Sequence, residues 1–349
     1  MNKTIAIVTA IVMWATCASA QEITEEFKPS GRVEGRIFAD FSTDVTGNGH
    51  AKAFELKRAY LGYIYQISPE FKAHIRMDVG GNEFVIDGLD EGIESQYAFF
   101  KTAALFWEKN KWSAAFGLHD TYQFKEQETL WGKRYILPSM LDLQKFDFSA
   151  DIGASARFRT NNFEMDLGFF NGEGYKQLQT DNAFRGSFGI TGFFWDKKII
   201  ARGYIDQSSA DVHLGSYTAF AGLDLDKFTL GAEFTHQNNY TYVEGHNRDA
   251  YSIFTQYNFT PRFGLWLRID GLNSQFELEY DKNDAEEAAD AASYMNSWMK
   301  KDGLYTYTGI EYIIVPRRIT TSLNYQHQTD DTADKNNTGR LFLNLEVKF

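Results

Sequence analysis

Residues 341–349 read LFLNLEVKF. Leu341, Leu343, Leu345, Val347 and Phe349 fall on one face of an extended chain, and Phe342, Asn344, Glu346 and Lys348 on the other. Side chains alternate across a β-strand with a period of two, so this is a strand with one apolar face. Termini are ordinarily the frayed part of a chain. This one is patterned to its last residue, and the fold turns on what its apolar face meets.

The same alternation recurs from Gly31 onward at nearly even spacing. GRVEGRIFADF (31–41) sets Val33, Ile37, Ala39 and Phe41 against Arg32, Glu34, Arg36 and Asp40. FKAHIRMDV (71–79) sets Phe71, Ala73, Ile75, Met77 and Val79 against Lys72, His74, Arg76 and Asp78. Similar runs begin at Trp112, Phe148, Phe163, Ile199, Phe228, Phe263 and Ile319, with less regular ones at 53–65, 94–107 and 305–314, the last faced by turning Glu311 inward. They amount to about sixteen strands, typically of the roughly 9–11 residues that a tilted strand needs to cross a bilayer.

The connections alternate in length. Short turns near 68–70, 109–110, 159–162, 196–198, 226–227, 260–262 and 316–318 alternate with stretches at 43–51, 80–92, 119–145, 171–183, 209–214, 239–248, 273–303 and 329–337, most of them longer and more polar. In an up-and-down sheet every second connection lies on the same side, so one side is trimmed and the other elaborated. Greek-key crossings of a soluble sandwich would scramble that order. Lipid offers no partner to backbone N–H and C=O groups, so a sheet that crosses it must close. The expectation is an all-β, transmembrane, antiparallel up-and-down β-barrel of about sixteen strands over residues 31–349, with short periplasmic turns and long external loops. Its last strand pairs with the first at Gly31, and Trp112, Phe158, Phe169, Trp195, Phe228 and Phe263, at strand ends, form interfacial girdles.

Residues 1–20 read as a secretory signal peptide: Lys3, an apolar run from Ile5 to Trp14 too short to span a bilayer, and Ala18-Ser19-Ala20 before Gln21. A lipoprotein signal at Cys17 fits poorly with Trp14 and Thr16 beside it. Residues 21–30 are an N-terminal extension. Cleavage removes Lys3 and Cys17, the one cysteine, so the formal charge moves from −12 to −13. So acidic an exported chain is not expected to bind nucleic acid.

GxSxG, Walker A, HExxH and CxxC are all absent from the sequence, and no cofactor or metal is expected. DVTGNGHAKAFE (44–55) matches part of a calcium loop, but Thr46 breaks the pattern and its flanks are strands, which favours a hairpin loop. DKNDAEEAADAASYMNSWMKK (281–301) reads as a short external helix, acidic first and basic last.

The third long loop, 119–145, contains LWGKRYILPSM (130–140). Leu130, Trp131, Tyr135, Ile136, Leu137 and Met140 need a surface. Either the loop folds into the lumen, with Lys125, Lys133 and Arg134 lining a constriction, or it caps the rim or a neighbouring subunit. The inward reading is favoured, because a barrel of this size otherwise leaves an open channel. Lumen-facing cations on the first four strands (Arg32, Arg36, Lys57, Lys72, Arg76 and Lys101) outnumber acids. Arg157, Arg185, Arg202 and Arg268 on later strands stand beside Asp151, Glu164, Asp166, Glu233 and Glu311. This is either a basic strip that attracts anions or a salt-bridged field that holds the pore open.

GRVEGRIFADF, AFELKRAYLGYIY (53–65) with FKAHIRMDV, and FGLHDTYQFKEQETLWGKRYI (116–136) resemble the phosphate-selective porin O/P family, in the form found among Bacteroidota. The resemblance covers the layout of most of the mature chain. It implies a sixteen-stranded, usually trimeric barrel with an inward third loop, in the bacterial outer membrane. It further implies passive diffusion of small hydrophilic solutes or anions such as phosphate. Lys57-Arg58 stands where the family carries paired basic residues, although strict alternation turns only one of the two inward and leaves Arg58 the weaker member. The partners expected are outer-membrane lipid, two further copies of the chain and the barrel assembly machinery, for which Phe349 resembles the C-terminal signal. An outer-membrane hydrolase and a closed structural or adhesive barrel are the alternatives.

Overall fold

The computed structural model describes residues 27–46, 52–84, 93–179, 182–275, 302–330 and 337–349. The signal peptide, the helix expected at 281–301 and the middle of the 44–55 loop lie outside the described residues.

Sixteen strands make up the wall: β1 (Ser30–Asp44), β2 (Ala53–Gln66), β3 (Phe71–Phe84), β4 (Ile93–Lys109), β5 (Trp112–Asp120), β6 (Ala150–Arg159), β7 (Phe163–Phe170) and β8 (Arg185–Phe194). The second half comprises β9 (Ile199–Ser208), β10 (Gly215–Asp224), β11 (Phe228–Asn238), β12 (Asn247–Thr260), β13 (Phe263–Gln275), β14 (Gly303–Val315), β15 (Ile319–Asp330) and β16 (Thr338–Lys348). Each pairs with its chain neighbours, and β16 closes onto β1. Long and short connections alternate around the ring as the sequence pattern requires.

Short turns share a device. The hydroxyls of Ser68, Thr160 and Thr260 each accept two backbone N–H bonds from the residues two and three positions on, at 3.0–3.3 Å. A Ser or Thr that stands in for a missing backbone acceptor lets the strand reverse within two to four residues.

The seam differs in register from expectation. Phe349 exchanges both backbone bonds with Gly35, at 2.9 and 3.0 Å, and not with Gly31. Arg36 lies opposite Lys348 and Asp44 opposite Arg340, while Ser30–Glu34 pair with β2 alone. Tilted strands close a barrel only with a stagger, so the first residues of β1 overhang the seam. Phe349 lays its ring over Gly35, where a Cβ would stand 2.2 Å from it.

Leu341, Leu343 and Leu345 are exposed outward, and Phe342, Asn344 and Glu346 are buried inward. Trp112 and Phe158 meet at a tilt, 4.8 Å apart, at the short-turn end, with Phe163 5.8 Å further on, and Phe169 stacks on Phe184 at 5.1 Å at the long-loop end. This outer surface is apolar and the wall's inner face polar. The hydrophobic core therefore lies within the lumen, where a loop packs against the wall.

Candidate functional site

Residues 121–149 fold into the lumen. Helix α1 (Lys125–Trp131) ends at Gly132, whose φ of 67° lets its N–H reach the Glu128 carbonyl at 3.0 Å. A single turn, α2 (Met140–Leu143), follows. Trp131 is 1% exposed, 5.4 Å from the ring of Phe254 on β12 and 5.5 Å from that of Trp266 on β13. Tyr135, Ile136 and Leu137 extend the cluster to Phe220 on β10 and to Tyr305 and Tyr307 on β14. Gly222 on β10 leaves room for Leu130, which would lie 2.4 Å from a Cβ there.

A loop inside a barrel must also satisfy its backbone. The wall does so: Arg202 donates to the Tyr122 carbonyl (2.9 Å), Gln256 to that of Trp131 (2.7 Å), Arg268 to Pro138 (2.6 Å) and Gln237 to Phe146 (2.8 Å). Arg248 binds the carbonyls of Gln144 and Lys145 at 3.1 and 2.8 Å. Lys133, expected in the constriction, turns instead into the wall: its ammonium is 2.7 Å from Glu311, to which Tyr135 also donates at 2.7 Å. A buried ammonium needs a carboxylate, and Glu311 provides one.

Under the loop the wall neutralises itself. Arg202 pairs with Asp166 at 2.7 Å and Arg268 with Asp270 at 2.5 Å, all four side chains 1% exposed. Arg185 is held between Asp147 and Asp206 at 2.7 and 2.6 Å.

The wall from β1 to β5 is different. A cavity of about 600 Å³ runs between it and α1, lined by six cationic side chains (Arg36, Arg76, Lys101, Lys125, Arg134 and Lys348) against the carboxylates of Glu34, Asp120 and Glu128. The nearest acids to Arg36 and Arg76 are at 3.3 and 3.4 Å, and the two cations keep 40% and 23% of their side-chain surface exposed. Arg134 is held by Glu128 and by Asp142, the latter at 2.7 Å. Burial pushes the Asp142 carboxyl up, but Arg134 and other cations outweigh it and hold it below the usual carboxylate range.

Two β-bulges aim cations into this wall. On β2, Arg58 lies opposite Phe38 and Leu56 opposite Ala39, leaving Lys57 without a partner on β1. On β4, Thr102 lies opposite Arg76 and Phe100 opposite Met77, leaving Lys101 unpaired on β3. An extra residue turns two consecutive side chains to the same face. Both members of Lys57-Arg58 therefore point inward, contrary to strict alternation: Lys57 toward Glu55 and Asp40, Arg58 toward Asp78 at 2.7 Å. Lys101 is buried and donates to the Ser149 hydroxyl. Lys72 lies on the same wall, 2.9 Å from Glu108. A signal for the bulges exists in the sequence: outward apolar positions run Phe54, Leu56, then Ala59, Leu61 on β2, and Ala98, Phe100, then Ala103, Leu105 on β4. The phase slips at each basic residue.

A second loop enters the lumen. Tyr175, between β7 and β8, puts its ring 4.1 Å from the Lys101 ammonium, and Lys176 lies 4.8 Å over Phe99 on β4. Composition alone marks neither residue.

The fold has structural counterparts. The outer membrane channel DcaP of Acinetobacter baumannii aligns with a TM-score of 0.61 at 13% identity, over 93% of this chain and 99% of that one. OmpF of Salmonella typhi, in complex with daunomycin, gives 0.62 at 11% over 91% and 97%. OprB of Pseudomonas putida at high pH gives 0.63 at 10% over 92% and 94%. At these identities the likeness is one of fold. No protein-family model matches the chain, and no curated protein matches it in sequence.

Proposed function

We propose that this chain is an outer-membrane porin: a passive diffusion channel for small hydrophilic solutes, with a preference for anions. The observation that carries this reading is the unequal lumen. A loop seals one wall with its charges paired, and the cavity that is left is lined by cations, of which Arg36 and Arg76 keep 40% and 23% of their side-chain surface exposed. A low-dielectric rim focuses their field and raises the local concentration of anions. Arg36, Arg76, Lys101, Lys125 and Arg134 line the path, with Lys57, Arg58 and Lys72 above and below it on the same wall. Phosphate-like oxyanions are the solutes implied by the resemblance to the porin O/P family. The resemblance also supports a homotrimer, and an apolar outer band flanked by aromatic rings supports residence in lipid.

The test is electrical. Purified protein added to a planar bilayer is expected to give stepwise conductance, and a salt gradient a reversal potential on the anion side. Correctly folded protein that passes no current would overturn the channel reading. A cation-side potential would overturn the preference alone.

A further inference from the structure

We propose that the short-turn mouth of the barrel carries a second anion site, a cleft that takes polyvalent oxyanions at the end of the cationic wall. Its place on a permeation path rests on the channel reading above; its ability to bind does not.

Three neighbouring turns build the cleft. Those between β4 and β5, β6 and β7, and β8 and β9 enclose about 680 Å³. Lys111, Arg159 and Lys197 come from the turns or their edges, and Arg157 from the inner face of β6. Against these four cations the described lining holds one carboxylate, Glu108, which Lys72 already engages at 2.9 Å. Asp196 stands next to Lys197 in its turn but is not part of the lining. The amides of Asn110, Asn161 and Asn162 complete the wall and add neutral donors.

The cations are not spent on protein. Lys111 and Lys197 are exposed and form no ion pair among the described residues. Arg157 and Arg159 share one buried carboxylate behind the cleft, Glu164, at 3.8 and 3.3 Å. The Glu164 oxygen facing Arg159 accepts no hydrogen bond. Arg159 therefore keeps its fork of N–H donors, with 46% of its side chain exposed, while the Phe193 ring lies 5.1 Å from its guanidinium carbon. A guanidinium rested on a ring, with free donors, suits an oxyanion that accepts two bonds at once. Arg157 donates to the Ser113 hydroxyl at 3.3 Å, which holds it at the inner edge. Its charge acts on Lys125, which lines the first cavity, so the cationic wall continues from that cavity to the mouth. A monovalent ion engages one of these spread charges at a time, whereas a polyvalent one bridges several and gains from the field of all four.

Titration calorimetry of the purified protein in detergent micelles tests the site, at low ionic strength and with inorganic pyrophosphate as the probe. Saturable binding is expected. Lys111→Gln with Lys197→Gln should weaken it about tenfold, and Arg159→Gln alone should weaken it as well. Thermal unfolding of both variants should match that of the unaltered protein, since the side chains changed are exposed. Nitrate should give no saturable heat; nitrate binding as tight as that of pyrophosphate overturns the preference for polyvalent anions. Unchanged affinity in both cleft variants, or affinity lost instead on changing Arg36→Gln with Arg76→Gln, overturns the site. Binding by protein that passes no current in a planar bilayer upholds the site and overturns the channel reading.

Discussion

The two halves of the lumen wall are made of the same residue types and behave oppositely. On β7, β9 and β13, Arg202–Asp166 and Arg268–Asp270 close to 2.7 and 2.5 Å with side chains 1% exposed, and a loop lies over them. On β1 and β3, Arg36 and Arg76 meet acids at 3.3 and 3.4 Å and face the cavity. The first arrangement binds protein to protein; the second leaves charge facing a cavity. What separates them is water. A buried cation must satisfy itself within the fold, whereas one beside an open passage is screened and held loosely.

The contrast breaks most completely if the loop leaves its wall. Trp131→Ala removes the buried anchor between Phe254 and Trp266, a loss of about 3–5 kcal/mol for a large buried aromatic. Single-channel conductance should rise several-fold, and current noise should increase as the loop moves. Next in size, Asp166→Asn leaves Arg202 buried without its carboxylate and should cost about 3–5 kcal/mol. The loss would be read as a lower unfolding temperature of the barrel in detergent.

Deleting Phe349 tests the seam. It removes the two backbone bonds to Gly35 and the ring that covers it, and the amount of assembled protein in the membrane should fall more than the conductance of the channels that form. Normal membrane levels would remove Phe349 from any role in assembly. On the open half, Arg36→Gln with Arg76→Gln should leave thermal stability within about 1 kcal/mol. The anion-to-cation permeability ratio should nevertheless fall roughly twofold. The smallest effect is expected from Lys72→Gln, which breaks an exposed pair with Glu108 and should change stability by less than about 1 kcal/mol. If the Arg36 and Asp166 variants proved equally destabilising, the two walls would not differ in the way described.

Much of the architecture is legible in the residues alone. Alternation in LFLNLEVKF and its counterparts, with the sorting of short and long connections, points to a closed barrel of about sixteen strands. The apolar run in LWGKRYILPSM places the third loop against the lumen wall. Site residues are harder. Lys133 reads as a pore cation by composition, yet it anchors the loop to Glu311. Strict alternation turns Arg58 outward, yet a bulge brings it in, and the slip from Leu56 to Ala59 is the clue. Tyr175 carries no signal.

The sequence by itself determined which face of each strand is apolar and turns outward, which side carries the loops and where the chain closes in outline. Those properties follow from periodicity and loop length, both local along the chain. Only the tertiary structure decided which cations are neutralised within the wall and which face the cavity. That choice depends on partners far apart in sequence: Lys133 and Glu311 are 178 residues apart, and Arg268 reaches Pro138 across 130. Ion pairing acts over a few ångströms of space, and no pattern of spacing along one strand encodes who stands across the lumen.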